Sequence, residues 1–178
     1  GRRAESARAK QWCDLNGRTV IDWSIAAFRS HPKVEQIIIV TGLDAPSDFA
    51  PEGCICVAGG ATRTLSVRNG LAAIPAPDNS TIVLIHDAAR PGLTHATLDA
   101  LLEALTTHAA AAPALPVQDA LKRQGARTLE TVSRDALFRV QTPQAFRYGA
   151  ITMALAEAGD DLVDDLAAVE AQGIEVKL

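Results

Sequence analysis

The residues that could carry phosphate or sugar chemistry follow one apolar run, Thr81 to Ile85. That run of β-branched and aliphatic side chains predicts a strand buried on both faces. His86-Asp87-Ala88-Ala89-Arg90-Pro91 comes directly after it, at the strand end where α/β sheets bind ligands. A carboxylate, two small residues and a cation can hold a metal or a sugar hydroxyl there. A plain strand-to-helix turn, with Asp87 capping and Arg90 solvated, fits this run equally well.

Two further stretches could bind anions. Gly59-Gly60 precedes a predicted helix, and adjacent glycines let the backbone approach a ligand at the positive end of that helix. Two glycines in a turn are common, so this signal is weak alone. The segment from Gly1 to Gln11 is basic and aperiodic and predicts a loop that presents Arg3 and Lys10, or else a disordered basic tail.

The elements that position these residues alternate between strands and helices, which predicts an α/β fold with a mostly parallel sheet and helices on both faces. The three stretches then converge on one crevice at the carboxyl ends of the strands. The strands are expected at 35–41, 54–57, 82–86, 112–117 and 138–146, and the helices from Val20, from 62 to about 74, and at 94–108, 148–158 and 163–171.

Residues 118–134 depart from this alternation and predict a β-hairpin. The hairpin has few apolar residues to bury, so we expect it to project and to pair with another subunit. A final strand is expected to begin near Ile174. We expect 1–178 to be a single domain that lacks its first strand and its C-terminal end.

Composition narrows the class of function. A net charge of -4 argues against general nucleic-acid binding, and no apolar run is long enough for a membrane span. Three cysteines without metal-binding spacing indicate reduced thiols in a cytoplasmic protein. Cations, main-chain amides and one carboxylate suit a triphosphate with a divalent metal. Neither a Walker loop nor a Gly-x-Ser-x-Gly elbow is present.

Taken in order, four stretches resemble the 2-C-methyl-D-erythritol 4-phosphate cytidylyltransferase family across essentially the whole chain. They are Gly1-Arg2-Arg3 through Lys10-Gln11, Gly59-Gly60 with Arg63 and Ser66, His86 to Pro91, and Thr142-Pro143-Gln144. The alanine-rich composition also resembles the first domain of bifunctional enzymes that carry a cyclodiphosphate synthase. The resemblance implies a Rossmann-like nucleotidyltransferase domain that joins CTP and methylerythritol 4-phosphate, requires Mg²⁺, and forms a homodimer through the 118–134 arm.

The resemblance also implies roles for individual residues. Arg3 and Lys10 would contact the triphosphate, with Gly1 the remnant of a phosphate loop, and Arg3, Lys10 and Arg134 would act in catalysis. The other implied contacts are Gly60 and Ser66 to cytosine, Asp87 and Ala88 to ribose, Asp87 to Mg²⁺, and Asp87, Arg90, Arg134 and Thr142 to the acceptor. Ser66 as a helix-surface hydroxyl, Lys10 as a solvated lysine and Arg134 as a surface cation remain the simpler alternatives.

Three departures from the family pattern concern the acceptor half. Ala120 stands where a threonine is common, Val163 replaces the threonine of a Thr-Asp pair, and Lys177 does not occupy the usual context of the family's late lysine. A cytidylyltransferase for another polyol phosphate, such as ribitol 5-phosphate, is therefore the alternative. A non-catalytic nucleotide-binding domain is the alternative from another class, but Arg3, Lys10, Asp87 and Arg90 at their spacings argue against it.

Overall fold

The structure is a computed structural model that describes residues 9–160 and 162–178. Its helices are α1 (Val20–Arg29), α2 (Arg63–Ala72), α3 (His95–Ala104), α4 (Tyr148–Glu157) and α5 (Leu166–Ala171), preceded by a 3₁₀ turn at Lys10–Trp12. The strands are β1 (Asp14–Leu15), β2 (Arg18–Thr19), β3 (Ile37–Thr41), β4 (Cys54–Ala58), β5 (Ile82–Ile85), β6 (Ala110–Ala111), β7 (Ala114–Pro116), β8 (Leu121–Gln124), β9 (Leu129–Val132), β10 (Phe138–Val140), β11 (Gln144–Arg147) and β12 (Val176–Lys177).

The largest sheet has the order β12-β6-β11-β5. Its β12–β6 pair is parallel, whereas β11 is antiparallel to both β5 and β6. A separate parallel pair is formed by β3 and β4. The α/β alternation is confirmed, but strand pairing in the described residues is more mixed than the expected mostly parallel sheet, because β11 runs back between two neighbours.

Helices cover both faces of the four-stranded sheet, as expected. Phe146 and Ala110 point into a core with residues of α2, α4 and α5, and Phe146 is fully buried. The adjacent Ala145 and Ala111 point the other way, against Leu101 and Leu105 at the end of α3. Successive residues of a strand face opposite sides, so one pair of strands supplies both cores. Alanines at these positions let the helices approach closely.

The first three helices begin at threonines that their sequence places correctly for capping. Thr19, Thr62 and Thr94 each accept a hydrogen bond from the backbone N–H three residues later, and Thr19 forms a full capping box with Asp22. The Thr62 cap matters for function because it fixes the start of α2 directly after the Gly59-Gly60 turn.

The strand that was expected to be buried on both faces is only partly buried. None of the β5 residues is fully covered, and Ile82 is 37% exposed. The reason lies in the pairing: β5 has β11 on one edge, and within the described ranges no strand pairs with its other edge.

Two other expectations need correction. The predicted strand at 112–117 is two short strands, β6 and β7, since Ala112 and Pro113 lie between them and β7 leaves the sheet to pair with β10. The last helix starts at Leu166 instead of Val163, because residues 163–165 form a bend in which Asp164 Oδ1 accepts the Ala167 N–H. No helix in the described residues is both long and apolar enough to cross a bilayer.

The predicted hairpin is confirmed as β8 and β9, paired antiparallel from Leu121↔Val132 to Gln124↔Leu129. Most of its side chains are exposed, and only Leu121, Gly125 and Val132 are half-buried within 121–132. The hairpin therefore projects from the α/β body, as its poor apolar content predicts.

Candidate functional site

A hydrogen-bonded cluster forms where β5 ends. The Asp87 N–H donates to Thr142 Oγ1 at 3.2 Å, and the same hydroxyl lies 3.1 Å from His86 Nδ1. His86 Nε2 lies 3.0 Å from the carbonyl oxygen of Arg90, which can only accept. The neutral His86 ring therefore carries its proton on Nε2, and Nδ1 accepts the Thr142 hydroxyl proton. Thr142, 56 residues away in sequence, is thus fixed against the strand end.

Burial lowers the pKa of His86, and the charge of Arg90 acts in the same direction. The Arg90 carbonyl, the charge of Asp87 and Thr142 oppose this shift without cancelling it. The ring also packs edge-on against Phe28, with centroids 5.3 Å apart. The neutral imidazole thus holds the Asp87–Arg90 turn in shape without adding a charge.

The turn itself leaves charged groups facing outward. Asp87 Oδ1 accepts the Ala89 N–H at 3.1 Å, and Asp87 Oδ2 lies 3.5 Å from Arg90 Nε. Arg90 Nη1 also donates to Gln141 Oε1. The carbonyl of Ala88 accepts from Ser24 Oγ of α1 at 3.1 Å. Asp87 and Arg90 are each about half-exposed, so both can still meet a ligand.

A cavity of about 310 Å³ opens beside this cluster. His86, Arg90 and Thr142 line it on one side. The other side comes from the start of α3 and from the β6–β7 connection, with Leu93, Thr97, Pro113, Ala114 and Leu115 among the lining residues. Its size and its lining of one arginine, two threonines and several apolar residues suit a small polar molecule.

The glycine turn before α2 is tightly closed. The Gly60 N–H donates to Ser66 Oγ at 3.0 Å, and Ser66 Oγ donates to the Thr62 carbonyl at 2.9 Å. A Cβ on Gly60 would lie 2.3 Å from Leu65 Cβ, so only glycine fits at this position. The turn therefore brings main-chain groups to the surface at the N-terminus of a ten-residue helix.

An ion pair ties this turn to the far end of the chain. Arg63 Nη2 donates to Asp165 Oδ2 at 2.7 Å, and the Asp165 side chain is 1% exposed. Burial lowers the pKa of Arg63, but the hydrogen bond to Asp165 and the charges of Asp165, Asp164 and Asp87 outweigh it and raise that pKa overall. Arg63 is thus close enough to Asp87 to sense its charge.

The 3₁₀ turn that holds Lys10 is anchored through its neighbours. Gln11 Nε2 and Trp12 Nε1 both donate to Asp44 Oδ2, at 3.0 and 2.9 Å. Trp12 is buried in the core formed with α1 and β3, while Lys10 is exposed. This anchoring replaces the expected loop for the part of that segment that the structure describes. Gly1 and Arg3 lie outside the described residues.

Of the predicted site residues, Asp87, Ala88, Arg90 and Thr142 are brought together at the end of β5, and Gly60 and Ser66 are paired at the start of α2. Arg134 is exposed at the base of the projecting hairpin, where Nη1 donates to the Gln118 carbonyl. Within the described ranges no hydrogen bond or ion pair joins Arg134 to the His86–Thr142 cluster.

Sequence reasoning assigned no role to His86, Arg63, Gln144 or Asp165. His86 and Gln144 stand in the motifs that carried the resemblance, and Arg63 stands beside the glycine turn, so their positions were visible. Their partners were not, because Arg63 and Asp165 are 102 residues apart.

The comparisons with known proteins agree on one family. The family model for 2-C-methyl-D-erythritol 4-phosphate cytidylyltransferase matches residues 1–178. The chain belongs to this family. A Cereibacter sphaeroides protein named 2-C-methyl-D-erythritol 4-phosphate cytidylyltransferase is 43% identical over 185 residues, covering all of this chain and 82% of that protein.

Bifunctional members of the cytidylyltransferase family match as well. A Hyphomonas neptunium protein named bifunctional enzyme IspD/IspF is 49% identical over 180 residues, covering all of this chain and 47% of that protein. The chain thus spans about half the length of the bifunctional relatives it matches. The crystal structure of the Thermus thermophilus cytidylyltransferase gives a TM-score of 0.81 at 34% identity, covering 96% of this chain and 83% of that one. The Rossmann-like nucleotidyltransferase fold is confirmed.

Proposed function

We propose that this chain is a cytidylyltransferase that converts CTP and 2-C-methyl-D-erythritol 4-phosphate to 4-diphosphocytidyl-2-C-methyl-D-erythritol and pyrophosphate. A phosphate oxygen of the acceptor attacks the α-phosphorus of CTP, and the bond from that phosphorus to the pyrophosphate oxygen breaks. The observation that carries the proposal is the His86–Thr142 cluster at the end of β5, in a chain whose full length matches this family.

The glycine turn supports a role in cytosine recognition. One lone pair of Ser66 Oγ takes the Gly60 N–H, and its proton goes to Thr62. The remaining lone pair accepts the cytosine amino group, whereas uracil presents an oxygen at that position and has no proton to offer. Gly60 contributes main-chain groups, since no side chain fits there. Ser66 and Gly60 thus select CTP over UTP.

Arg3 and Lys10 would supply positive charge to the triphosphate, and Gly1 would be the remnant of a phosphate loop. Charge builds on the α-phosphate as attack proceeds, so cations held in place lower the barrier without covalent chemistry. The anchoring of Gln11 and Trp12 on Asp44 supports the placement of Lys10.

Asp87 is the proposed protein ligand of Mg²⁺. Within the described residues, no group of three or more His, Cys, Asp or Glu side chains could hold a metal without help. That composition fits Mg²⁺, which in nucleotide sites uses one or two carboxylates together with substrate phosphates. Asp87 is half-exposed, and its Oδ2 lies 3.5 Å from Arg90 Nε. The ion would neutralise charge on the phosphate oxygens, while Asp87 and Ala88 hold the ribose.

The acceptor is proposed to bind in the cavity beside Arg90 and Thr142, with Asp87 at its edge. Arg134 is proposed to reach the acceptor of a neighbouring subunit in a homodimer. Support for this comes from the exposed hairpin and from the lack, within the described ranges, of a hydrogen bond or ion pair from Arg134 to the His86–Thr142 cluster. The free thiols of Cys13, Cys54 and Cys56 support a cytoplasmic location.

The test is pyrophosphate release from CTP and Mg²⁺ with methylerythritol 4-phosphate or ribitol 5-phosphate as acceptor. Turnover with the first acceptor and with CTP but not UTP is expected. Turnover with ribitol 5-phosphate alone would show that the acceptor is a different polyol phosphate. Ala120 and Val163, which stand where the family commonly has threonine, would then be the first residues to mutate. CTP binding without turnover on either acceptor would contradict the proposal and indicate a nucleotide-binding domain.

A further inference from the structure

A buried carboxylate, Asp165, links the proposed nucleotide site at the glycine turn to the proposed acceptor site at the end of β5. Asp165 is 1% exposed, its Oδ2 is held by Arg63 at 2.7 Å, and its Oδ1 has no hydrogen-bond partner among the described residues. Desolvating a carboxylate for a single contact contributes little net stability and often costs some. The pair therefore invites a role other than holding the fold together.

Gln144 fixes the position of Asp165. Gln144 is 2% exposed and uses both ends of its amide: Oε1 accepts the Asp165 N–H at 3.2 Å, and Nε2 donates to Asp164 Oδ2 at 3.2 Å. Asp164 Oδ1 in turn accepts the Ala167 N–H at 3.0 Å in the first turn of α5. One buried amide thus sets the bend that aims Asp165 at Arg63.

Gln144 belongs to the acceptor side. It is the first residue of β11, where it pairs with Ile85, the last residue of β5. His86 and Asp87 follow Ile85, and Thr142 lies two residues before Gln144. A displacement of Gln144 therefore moves the strand ends that carry the acceptor cluster.

Arg63 belongs to the nucleotide side. It is the first residue of α2 and directly follows Thr62, whose carbonyl accepts from Ser66 Oγ and whose hydroxyl accepts the Leu65 N–H. Its side chain is 45% exposed, and the charge of Asp87 contributes to its raised pKa. Arg63 thus joins the start of α2, next to the glycine turn, to Asp165, whose N–H is held by Gln144 of β11.

We propose that Arg63 is a positioning residue for CTP, held by Asp165, and that Gln144 links this pair to the acceptor cluster. The series of contacts from Arg63 through Asp165 to Gln144 fixes the glycine turn relative to the end of β5 and the start of β11. The nucleotide and the acceptor are thereby kept in register for attack. This inference rests on the proposed cytidylyltransferase function.

A second arginine of α2 provides a matched control. Arg68 Nη1 donates to Asp160 Oδ1 at 2.7 Å, the same length as the Arg63–Asp165 contact, and its Nη2 donates to the Leu155 and Ala158 carbonyls. Those contacts join α2 to the end of α4, and they involve neither the glycine turn nor the His86–Thr142 cluster. Arg68→Met therefore removes an ion pair of the same length, with a more exposed carboxylate, without touching the proposed link.

The experiment measures the Kd for CTP with Mg²⁺ by calorimetry, and the KM for the acceptor, in Arg63→Met, Asp165→Asn, the double variant and Arg68→Met. Arg63→Met and Asp165→Asn are each expected to weaken CTP binding about tenfold, the loss of one hydrogen bond between charged groups. The double variant should lose about as much as either single one, because the two act as a unit. Arg68→Met should lower the melting temperature and leave the Kd for CTP unchanged.

Gln144→Glu tests the link to the acceptor. It keeps an oxygen for the Asp165 N–H but sets a carboxylate against Asp164, so both the Kd for CTP and the KM for the acceptor should rise. A rise in the acceptor KM alone would overturn the link.

Additive losses in the double variant, or unchanged CTP binding in Arg63→Met, would overturn the role of Arg63. If Arg63→Met alone does not fold, Asp165→Asn and the double variant, which bury no unpaired charge, decide the matter. If the wild-type chain turns over and every variant keeps the wild-type Kd for CTP and KM for the acceptor, only this inference is wrong. If the wild-type chain shows no turnover, the proposed function itself is wrong.

Discussion

At the scale of single residues, Thr142 has the most demanding position in the site. Its hydroxyl accepts the Asp87 N–H and donates to His86 Nδ1, so one oxygen holds both the Asp87 backbone and the His86 imidazole. It also lines the proposed acceptor cavity. The hydroxyl oxygen keeps one lone pair for a substrate hydroxyl, while its own proton is used.

Replacing Thr142 by valine should therefore raise the KM for the acceptor about tenfold, because the Asp87 N–H and the half-buried His86 ring nitrogen lose their partner, at a cost of about 1–3 kcal/mol. The KM for CTP should rise less than the KM for the acceptor, since the Gly60–Ser66 turn is untouched and CTP loses only the ordering of Asp87. Steady-state kinetics with each substrate varied in turn would check this. Thr142→Ser, which keeps the hydroxyl, is the control. A valine variant with normal acceptor kinetics would remove Thr142 from the site.

Residue types beside motifs could be predicted, whereas partners distant in sequence could not. Asp87 and Arg90 were visible because polarity changes abruptly after an apolar run. The use of Gln144 was hidden, since its amide acts on a bend 20 and 21 residues later. Asp165 was given no role from the sequence, and only packing makes it a buried partner of Arg63.

At the scale of elements, the entry to β5 is set by a turn that one carboxylate organises. Asp78 Oδ1 accepts from Ser80 N–H at 2.8 Å, Ser80 Oγ at 2.7 Å, Thr81 N–H at 2.8 Å and Thr81 Oγ1 at 3.1 Å. The hydrogen bonds from Ser80, followed by those from Thr81, lower the pKa of Asp78 below its ordinary value. The folded state thus favours the ionised carboxylate.

The lowered pKa of Asp78 makes the stability of the folded state depend on pH. A lowered folded pKa gives stability that is fully present above the unfolded pKa of about 3.9 and is lost as the pH falls through the folded value. Asp78→Ala should therefore melt below the wild type at pH 7, and the difference should shrink in acid below about pH 4. Thermal melts across that range would measure it, with Asp48→Ala on an exposed loop as the control. A difference that stays constant with pH would contradict the role of the charge.

Elements with strong periodicity were predicted well, and short ones that depend on neighbours were not. Helix α1 has apolar residues at helical spacing, and α1, α2 and α3 each have a threonine cap in the sequence. The partial exposure of β5 could not be predicted, because an apolar run does not tell which edges find a partner. The split at Ala112-Pro113 arises because β7 pairs with β10 instead of continuing the sheet.

At the scale of the whole molecule, the projecting hairpin bears on whether a site takes its residues from one subunit or from two. The α/β body holds the His86–Thr142 cluster and the glycine turn, while Arg134 stands at the base of an exposed arm. If the arm serves a partner in a two-fold dimer, each site takes Lys10 from one subunit and Arg134 from the other. A site built within one subunit would take both from the same chain.

Mixing two inactive variants distinguishes these arrangements. In a dimer of one Lys10→Ala and one Arg134→Ala subunit, a shared arrangement leaves one site with both residues intact and one with neither. Random exchange makes half of the dimers mixed, so about a quarter of the wild-type activity should return. Pyrophosphate release, after native mass spectrometry has verified exchange, would measure the recovery, and each variant mixed with itself is the control. If exchange is complete and activity stays at the level of the single variants, Arg134 does not act across the subunits.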